Sequence, residues 1–281
     1  MKIVLTTSIA GLGGTETATV RLGRLLRQHG HDIMLASSDG PLLKEAQALG
    51  IRWQPVDFYR GGLFGYLKGM IAYARMLRRE QPDIIDCQMA RVVPACAIAA
   101  KIVSPKTKII YHSHGLDAAT YPKIAKLFDK LGVYIIGNCK HEREKLIRHG
   151  FPADRIVYAY NAPPPPEFPF WKTVKGCVML GTLSRLDTVR AVQSVTNKLS
   201  DYMALQKPIL NSQTNAEVLS LLNLLPHENY RSGDVDSFVQ AAKDILKRKN
   251  DPVQSDEIVR RFRRDISYRK IVNLIERLAN E

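Results

Sequence analysis

No stretch of this sequence stays apolar for long enough to cross a bilayer. Its start carries no leader pattern either: Met1-Lys-Ile-Val-Leu-Thr-Thr-Ser8 turns polar early and reads as a first strand. Cysteine is scarce. Cys87, Cys96, Cys139 and Cys177 stand far apart, with no pair at zinc-ligand spacing, which argues for buried free thiols in a reducing compartment. Acids are in deficit: 27 Asp and Glu face 41 Lys and Arg among 281 residues, a net charge of +14. Such a surplus favours anionic partners such as nucleotide diphosphates, anionic lipid headgroups or nucleic acid. The cations are spread along the chain and no aromatic-and-basic reading surface stands out, so nucleic acid is not an expected partner. The spaced Gly-x-Gly-x-x-Gly of a dinucleotide fold is also missing, which argues against a nicotinamide enzyme. The expectation is a cytoplasmic protein, peripheral at the inner face of the membrane if it meets one.

What is present is a regular alternation. Strand-like runs at Ile3–Thr7, Asp32–Ser38, Asp83–Cys87, Lys108–His112, Val133–Asn138 and Ile156–Asn161 are separated by helix-like stretches. The first helix, Thr15–Gln28, carries Val20, Leu22, Leu25 and Leu26 on one side and Arg21, Arg24 and Arg27 on a solvated face. Strand–helix alternation with β-branched strands indicates an α/β fold, a parallel sheet covered on both faces. The run Ala162-Pro-Pro-Pro-Pro-Glu167-Phe-Pro169 interrupts it, because proline fixes φ and removes backbone donors. A second α/β stretch starts at Lys175 and ends in helices over Asp234–Arg248 and Asp256–Leu278. Two domains are therefore expected, 1–168 and 169–281, the second one small.

Several residues carry candidate chemistry. Gly11-Leu-Gly13-Gly14-Thr15-Glu16 joins the first strand to the first helix, where small residues let a ligand approach free N–H groups. His114, before Gly115, ends a strand and so faces the region where α/β sheets bind ligands; His112 is expected to be satisfied within the strand–loop corner. Arg185 and Arg190 sit at and just past a strand end, able to converge on one diphosphate as paired-donor forks. Thr196 or Asn197 can cap the next helix, Lys198 adds charge near its free amides, and Asp201 lies one turn on along the same side. Asp234-Val-Asp236 has the look of a metal pair, yet Gly233-Asp234 before Ser237-Phe-Val reads as a helix start with a capping acid.

In order, these pieces resemble the retaining family-4 glycosyltransferases of GT-B architecture. Gly13-Gly14-Thr15-Glu16 is similar to the family's Gly-Gly-x-Glu opening, and Gly30-His31-Asp32-Ile33 to its Gly-His-x-Val. Pro82-Asp83-Ile84-Ile85 resembles its Pro-Asp-Val-Ile strand, and Tyr111-His-Ser-His114-Gly115 its His-Gly loop. Gly181-Thr-Leu-Ser-Arg185 with Arg190 resembles the Gly-Arg-Leu…Lys element, arginine replacing lysine. Asn197-Lys198-Leu-Ser-Asp201-Tyr-Met-Ala-Leu-Gln-Lys207-Pro-Ile resembles the variant Asn-Lys-x-x-Glu-Tyr-Met-Ala-x-Gly-Lys-Pro-Val. In the commoner Glu-x7-Glu form the first acid would fall at Gln193, so that carboxylate is absent. The strand–helix units normally found between Arg190 and Gln193 are absent too.

The resemblance implies two Rossmann-like domains facing a cleft, the second truncated. It implies transfer of a sugar, with retained configuration, from a nucleotide-diphosphate sugar to an acceptor hydroxyl in cell-surface polysaccharide or glycolipid synthesis, without metal or other cofactor. Gly13, Gly14, Arg185, Arg190, Asn197, Lys198 and Asp201 would bind the donor, and His114 would be the catalytic residue. Nucleobase selection and domain closure lose the walls that serve them in the family. The alternative is a non-catalytic protein that binds sugar nucleotides or a partner. Tyr66–Arg79, with cations beside apolar and aromatic residues, suits an anionic membrane surface beside a glycan or lipid-linked acceptor.

Overall fold

The structure is a computed structural model; it describes residues 1–11, 13–116, 119–160, 181–183, 197–248, 251–262 and 264–280. The proline run, Cys177, Arg185, Arg190, Gln193 and Thr196 lie outside the described residues. The chain forms two compact units. The first gathers Met1–Asn138, Arg143–Tyr158 and, from the far end, Lys270–Glu281; the second holds Cys139–Glu142 and Ala159–Arg269. The boundary expected between 168 and 169 falls outside the described residues.

The first unit is built on strands β1 (Lys2–Ile9), β2 (Asp32–Ser38), β3 (Arg52–Pro55), β4 (Ile84–Cys87), β5 (Lys108–Ser113), β6 (Tyr134–Gly137) and β7 (Ile156–Tyr158). They form one sheet in the order β3-β2-β1-β4-β5-β6-β7, with every neighbouring pair parallel. Because successive side chains alternate faces, each strand feeds two cores. Val4, Met34, Ala36, Ile85, Cys87, Ile109, Tyr111 and Ile135 pack with α3 (Gly62–Glu80) and α4 (Val93–Val103), where Thr6 Oγ1 also meets the Tyr73 hydroxyl at 2.6 Å. Ile3, Leu5, Ile33 and their neighbours face α1 (Gly14–Gln28). That helix lies close because a Cβ on its Gly23 would come within 2.8 Å of Ile51 and 3.2 Å of Leu5.

Leu22, Leu25 and Leu26 are buried as α1's apolar side requires, and Arg27 is exposed. Arg21 and Arg24, however, are only half exposed, so the expected basic face is wet at one end only. Cys87, Cys96 and Cys139 are buried free thiols; burial, aided by the Cys96 side chain, pushes the Cys87 thiol well above its usual range.

The second unit has a parallel sheet β10-β9-β8 made of Gly181–Leu183 (β8), Ile209–Asn211 (β9) and His227–Asn229 (β10). Leu199 and Met203 of the helix Asn197–Leu205 pack with Ile209, Val218, Leu222, Ile258 and Phe262. Glu217 ties this unit together. Its carboxylate accepts from the Lys140 and His141 amides (3.1 and 2.7 Å) and from the Tyr160 hydroxyl (2.5 Å). A carboxylate on free amides at a helix start is favoured by both hydrogen bonding and the helix dipole. The helix expected over Asp256–Leu278 is interrupted at Tyr268: Ser255–Phe262 and Arg264–Ser267 are helical before it and Arg269–Asn280 after it. Tyr268, wholly buried, marks the break, and the last segment buries Ile271, Val272, Leu274, Ile275 and Leu278.

Candidate functional site

The strand order reverses direction between β1 and β4, since β1 continues to β2 on one side and β4 to β5 on the other. Beyond the C-terminal ends of two such strands the connections diverge and leave a crevice, the usual ligand position in open α/β sheets. Three of the sequence-designated residues line up there. Gly13 caps the start of α1, just past β1, with φ −71° and ψ 164°, and Gly14 is its first residue. His114 follows β5, two strand spacings from β1, roughly 10 Å.

Both glycines are exposed. The Glu16 side chain folds back over this turn, its carboxyl carbon 3.2 Å from where a Gly13 Cβ would stand. An acid in that place answers the positive end of the helix, and any larger residue at 13 would displace it.

Beneath the loops lies a feature that sequence reasoning missed. On the α1 face, five adjacent strands end in buried polar side chains, Ser37, Thr7, Asp86 with Gln88, His112 and Asn138, with the half-buried His114 just past His112. Each keeps at least one side-chain atom with no hydrogen-bond partner among the described residues. Most buried polar atoms in proteins are paired, so a contiguous row of orphans marks a place built for something other than stability. One signal was available: an acid inside the apolar run Ile84-Ile85-Asp86-Cys87.

Within this row His112 Nδ1 stands 3.7 Å from an Asp86 oxygen. The His112 and His114 rings stack at 4.9 Å and 6°. His114 Nε2 lies 3.0 Å from Gln88 Oε1. Burial first, and the neighbouring His112 second, hold the His114 imidazole well below its ordinary pKa. It is therefore neutral at physiological pH, able to exchange hydrogen bonds with hydroxyls without carrying charge. His112 is buried as expected, yet neither of its ring nitrogens is hydrogen-bonded among the described residues, so it is not satisfied within the strand–loop corner.

In the second unit Asn197 begins its helix, Lys198 is exposed, and Asp201 is half-buried three residues on, beside Tyr202. Arg185 and Arg190 lie outside the described residues. Asp234 is a helix cap: its Oδ1 accepts from the Ser237 amide at 2.8 Å. No cluster of three His, Cys, Asp or Glu fit to hold a metal occurs among the described residues.

A further groove, of about 360 Å³, opens in the first unit between the ends of β2 and β3 and the start of α3, lined by Ser38, Asp57, Arg60, Lys68 and the backbone at Gly65 and Gly69. No helix among the described residues is long and apolar enough to cross a membrane.

Solved structures share this architecture. A glycosyltransferase from Rickettsia africae superposes with a TM-score of 0.74 at 11% identity, covering 99% of this chain and 98% of that one. Anabaena HepE, crystallised with UDP and glucose, gives 0.71 at 12% identity over 98% and 99%. The lipopolysaccharide outer core galactosyltransferase WaaB, in apo form, gives 0.63 at 14% over 98% and 99%. At such identities the likeness is one of fold: α/β, GT-B, two Rossmann-like domains. No curated protein matches the sequence. A family model does, over residues 12–163, a span that takes in the Gly13-Gly14 turn, the row of buried polar side chains and His114. On that match the chain belongs to Glycosyltransferase Family 4.

Proposed function

We propose that this glycosyltransferase moves a sugar from a nucleotide-diphosphate sugar, with UDP the first carrier to test, to an acceptor hydroxyl in surface polysaccharide or glycolipid synthesis. The observation that carries the reading is His114, held by Gln88 just past β5, on the same end of the sheet as the Gly13-Gly14 helix start that follows β1. Membership of the family and the UDP and glucose held by HepE support it. Transfer retains configuration and needs no metal.

Negative charge builds on the leaving diphosphate as the glycosidic bond breaks, and fixed cations placed there lower the barrier. Arg185, Arg190 and Lys198 supply them in place of a divalent ion. Asn197 caps the helix that carries Lys198, and Asp201 accepts from the ribose hydroxyls. Gly13 and Gly14 bring backbone amides against the donor, and His114 positions the transferred sugar. The second domain is a shortened one that keeps the phosphate grip without the units normally inserted after Arg190.

Nucleotide release, measured across a panel of UDP- and GDP-sugars with membrane extract as acceptor, tests the reading. Acceptor-dependent release from one donor is expected. Calorimetric binding of a nucleotide without any release would instead favour a non-catalytic binding protein.

The acceptor is presented at an anionic membrane surface. On the outer side of α3, Leu63, Phe64, Leu67 and Ile71 are exposed, Phe64 by 86%, with Lys68, Arg75 and Arg78 exposed beside them. Apolar residues flanked by cations suit an acidic bilayer. In vesicle flotation the protein is expected to rise with anionic but not neutral lipid, and Phe64→Asp to weaken this. Equal flotation on both lipids removes the role of an anionic surface.

A further inference from the structure

Asp86 is wholly buried at the end of β4, on the α1 face. Neither of its oxygens has a hydrogen-bond donor among the described residues, and the only basic group of theirs within ion-pair distance is His112, at 3.7 Å. Removing a carboxylate from water without full pairing is costly. A one-sided contact of this kind favours the partner's N–H facing the acid. It also fixes the ring's plane, and the His114 ring lies parallel to that plane at 4.9 Å. His114 is thereby held on one face by stacking and at one edge by Gln88.

We propose that Asp86 is a positioning residue for His114, acting through His112: its carboxylate selects the Nδ1–H tautomer of His112 and sets the ring orientation on which His114 stacks. The inference rests on the reading of His114 as the group that positions the sugar. It extends that reading inward, to a residue that never touches substrate. An imidazole oriented by a carboxylate on one nitrogen is a recurrent way of fixing tautomer and angle. Here the stack passes the constraint to a second ring. Ser37, Thr7 and Asn138, in the same row, are uncharged and do not compete for the proton.

Asp86→Asn keeps the volume but places a donor where an acceptor stood, which reverses the preference of His112. With histidine labelled in nitrogen-15, the resting wild type in mildly alkaline buffer is expected to show His112 protonated on Nδ1. The Asn variant should show it on Nε2, with the His114 resonances displaced. In the release assay kcat should fall about 10- to 100-fold with donor KM unchanged. Asp86→Asn combined with His112→Asn should be no slower than His112→Asn alone, because both changes break one linkage.

The same tautomer in wild type and variant, or fully additive rate losses, would overturn the inference. Should Asp86→Asn not fold, the wild-type spectrum decides alone: His112 protonated on Nε2 ends it. The spectra need no turnover, so a protein inactive with every donor counts against the proposed function and leaves this test standing.

Discussion

Arg185→Ala should reduce nucleotide release by about 10²- to 10³-fold, the loss expected when one preorganised group facing developing charge is removed. In the ground state the diphosphate charge is already screened by water and by the other cations, so donor affinity should weaken less than turnover. As the bond to the sugar breaks, an additional negative charge collects on the leaving oxygen, and the guanidinium fork gains most at that moment. Arg185→Lys keeps the charge but loses the paired donors, and should fall between wild type and alanine. The measurement is kcat and KM for the preferred donor, with a thermal melt as control for folding. Equal rates from wild type and Arg185→Ala refute the donor site and, with it, the grouping of Arg190 and Lys198 around one diphosphate.

The strands of the first unit were readable because each is a short β-branched run closed by punctuation: β2 occupies Asp32–Ser38 as expected, and α1 begins one residue before its expected start. β3 was missed for a physical reason. Arg52–Pro55 is an edge strand, exposed at both ends and closed by a proline, so it carries no apolar pattern to find. The last helix was read as continuous because its apolar period runs through the break, while burial of Tyr268 is decided by packing that no local window contains.

The site divides in the same way. Gly13, Gly14 and His114 were visible since they stand at strand ends, where sequence alone marks the cleft side of an α/β sheet. Asp86 was overlooked because its meaning comes from register: only when β4 is laid beside β5 does a lone acid face His112. Arg185 and Arg190 rest on the sequence argument, as they lie outside the described residues.

Gly69→Ala should destabilise the first unit, a result opposite in sign to what helix propensity predicts. On propensity alone, replacing glycine by alanine inside a helix gains about 1 kcal/mol. In α3, however, Gly65 and Gly69 lie one turn apart on the side that meets the 57–60 loop. A Cβ at Gly65 would run into the Arg60 carbonyl. One at Gly69 would run into the Asp57 carbonyl and lie 3.1 Å from the Phe58 ring. That loop has little room to yield. Asp57 Oδ1 accepts from the Tyr59 and Arg60 amides at 2.7 and 3.1 Å, and the Tyr59 amide above all holds its carboxyl below the usual range. Phe58 is fully buried against Tyr73, with ring centroids 5.6 Å apart.

Forcing a methyl into such a contact costs about 1–3 kcal/mol. The melting temperature should drop by roughly 2–4 °C per kcal/mol, and more for Gly69→Val than for Gly69→Ala. Ala72→Val, at an exposed position on the same helix, should cost only the few tenths of a kcal/mol that β-branching brings. The same backbone approach shapes the groove lined by Ser38, Asp57, Arg60 and Lys68. A Gly69→Ala protein that melts higher than wild type would mean that the 57–60 loop moves aside at little cost and that helix propensity, not the close backbone approach, decides the outcome.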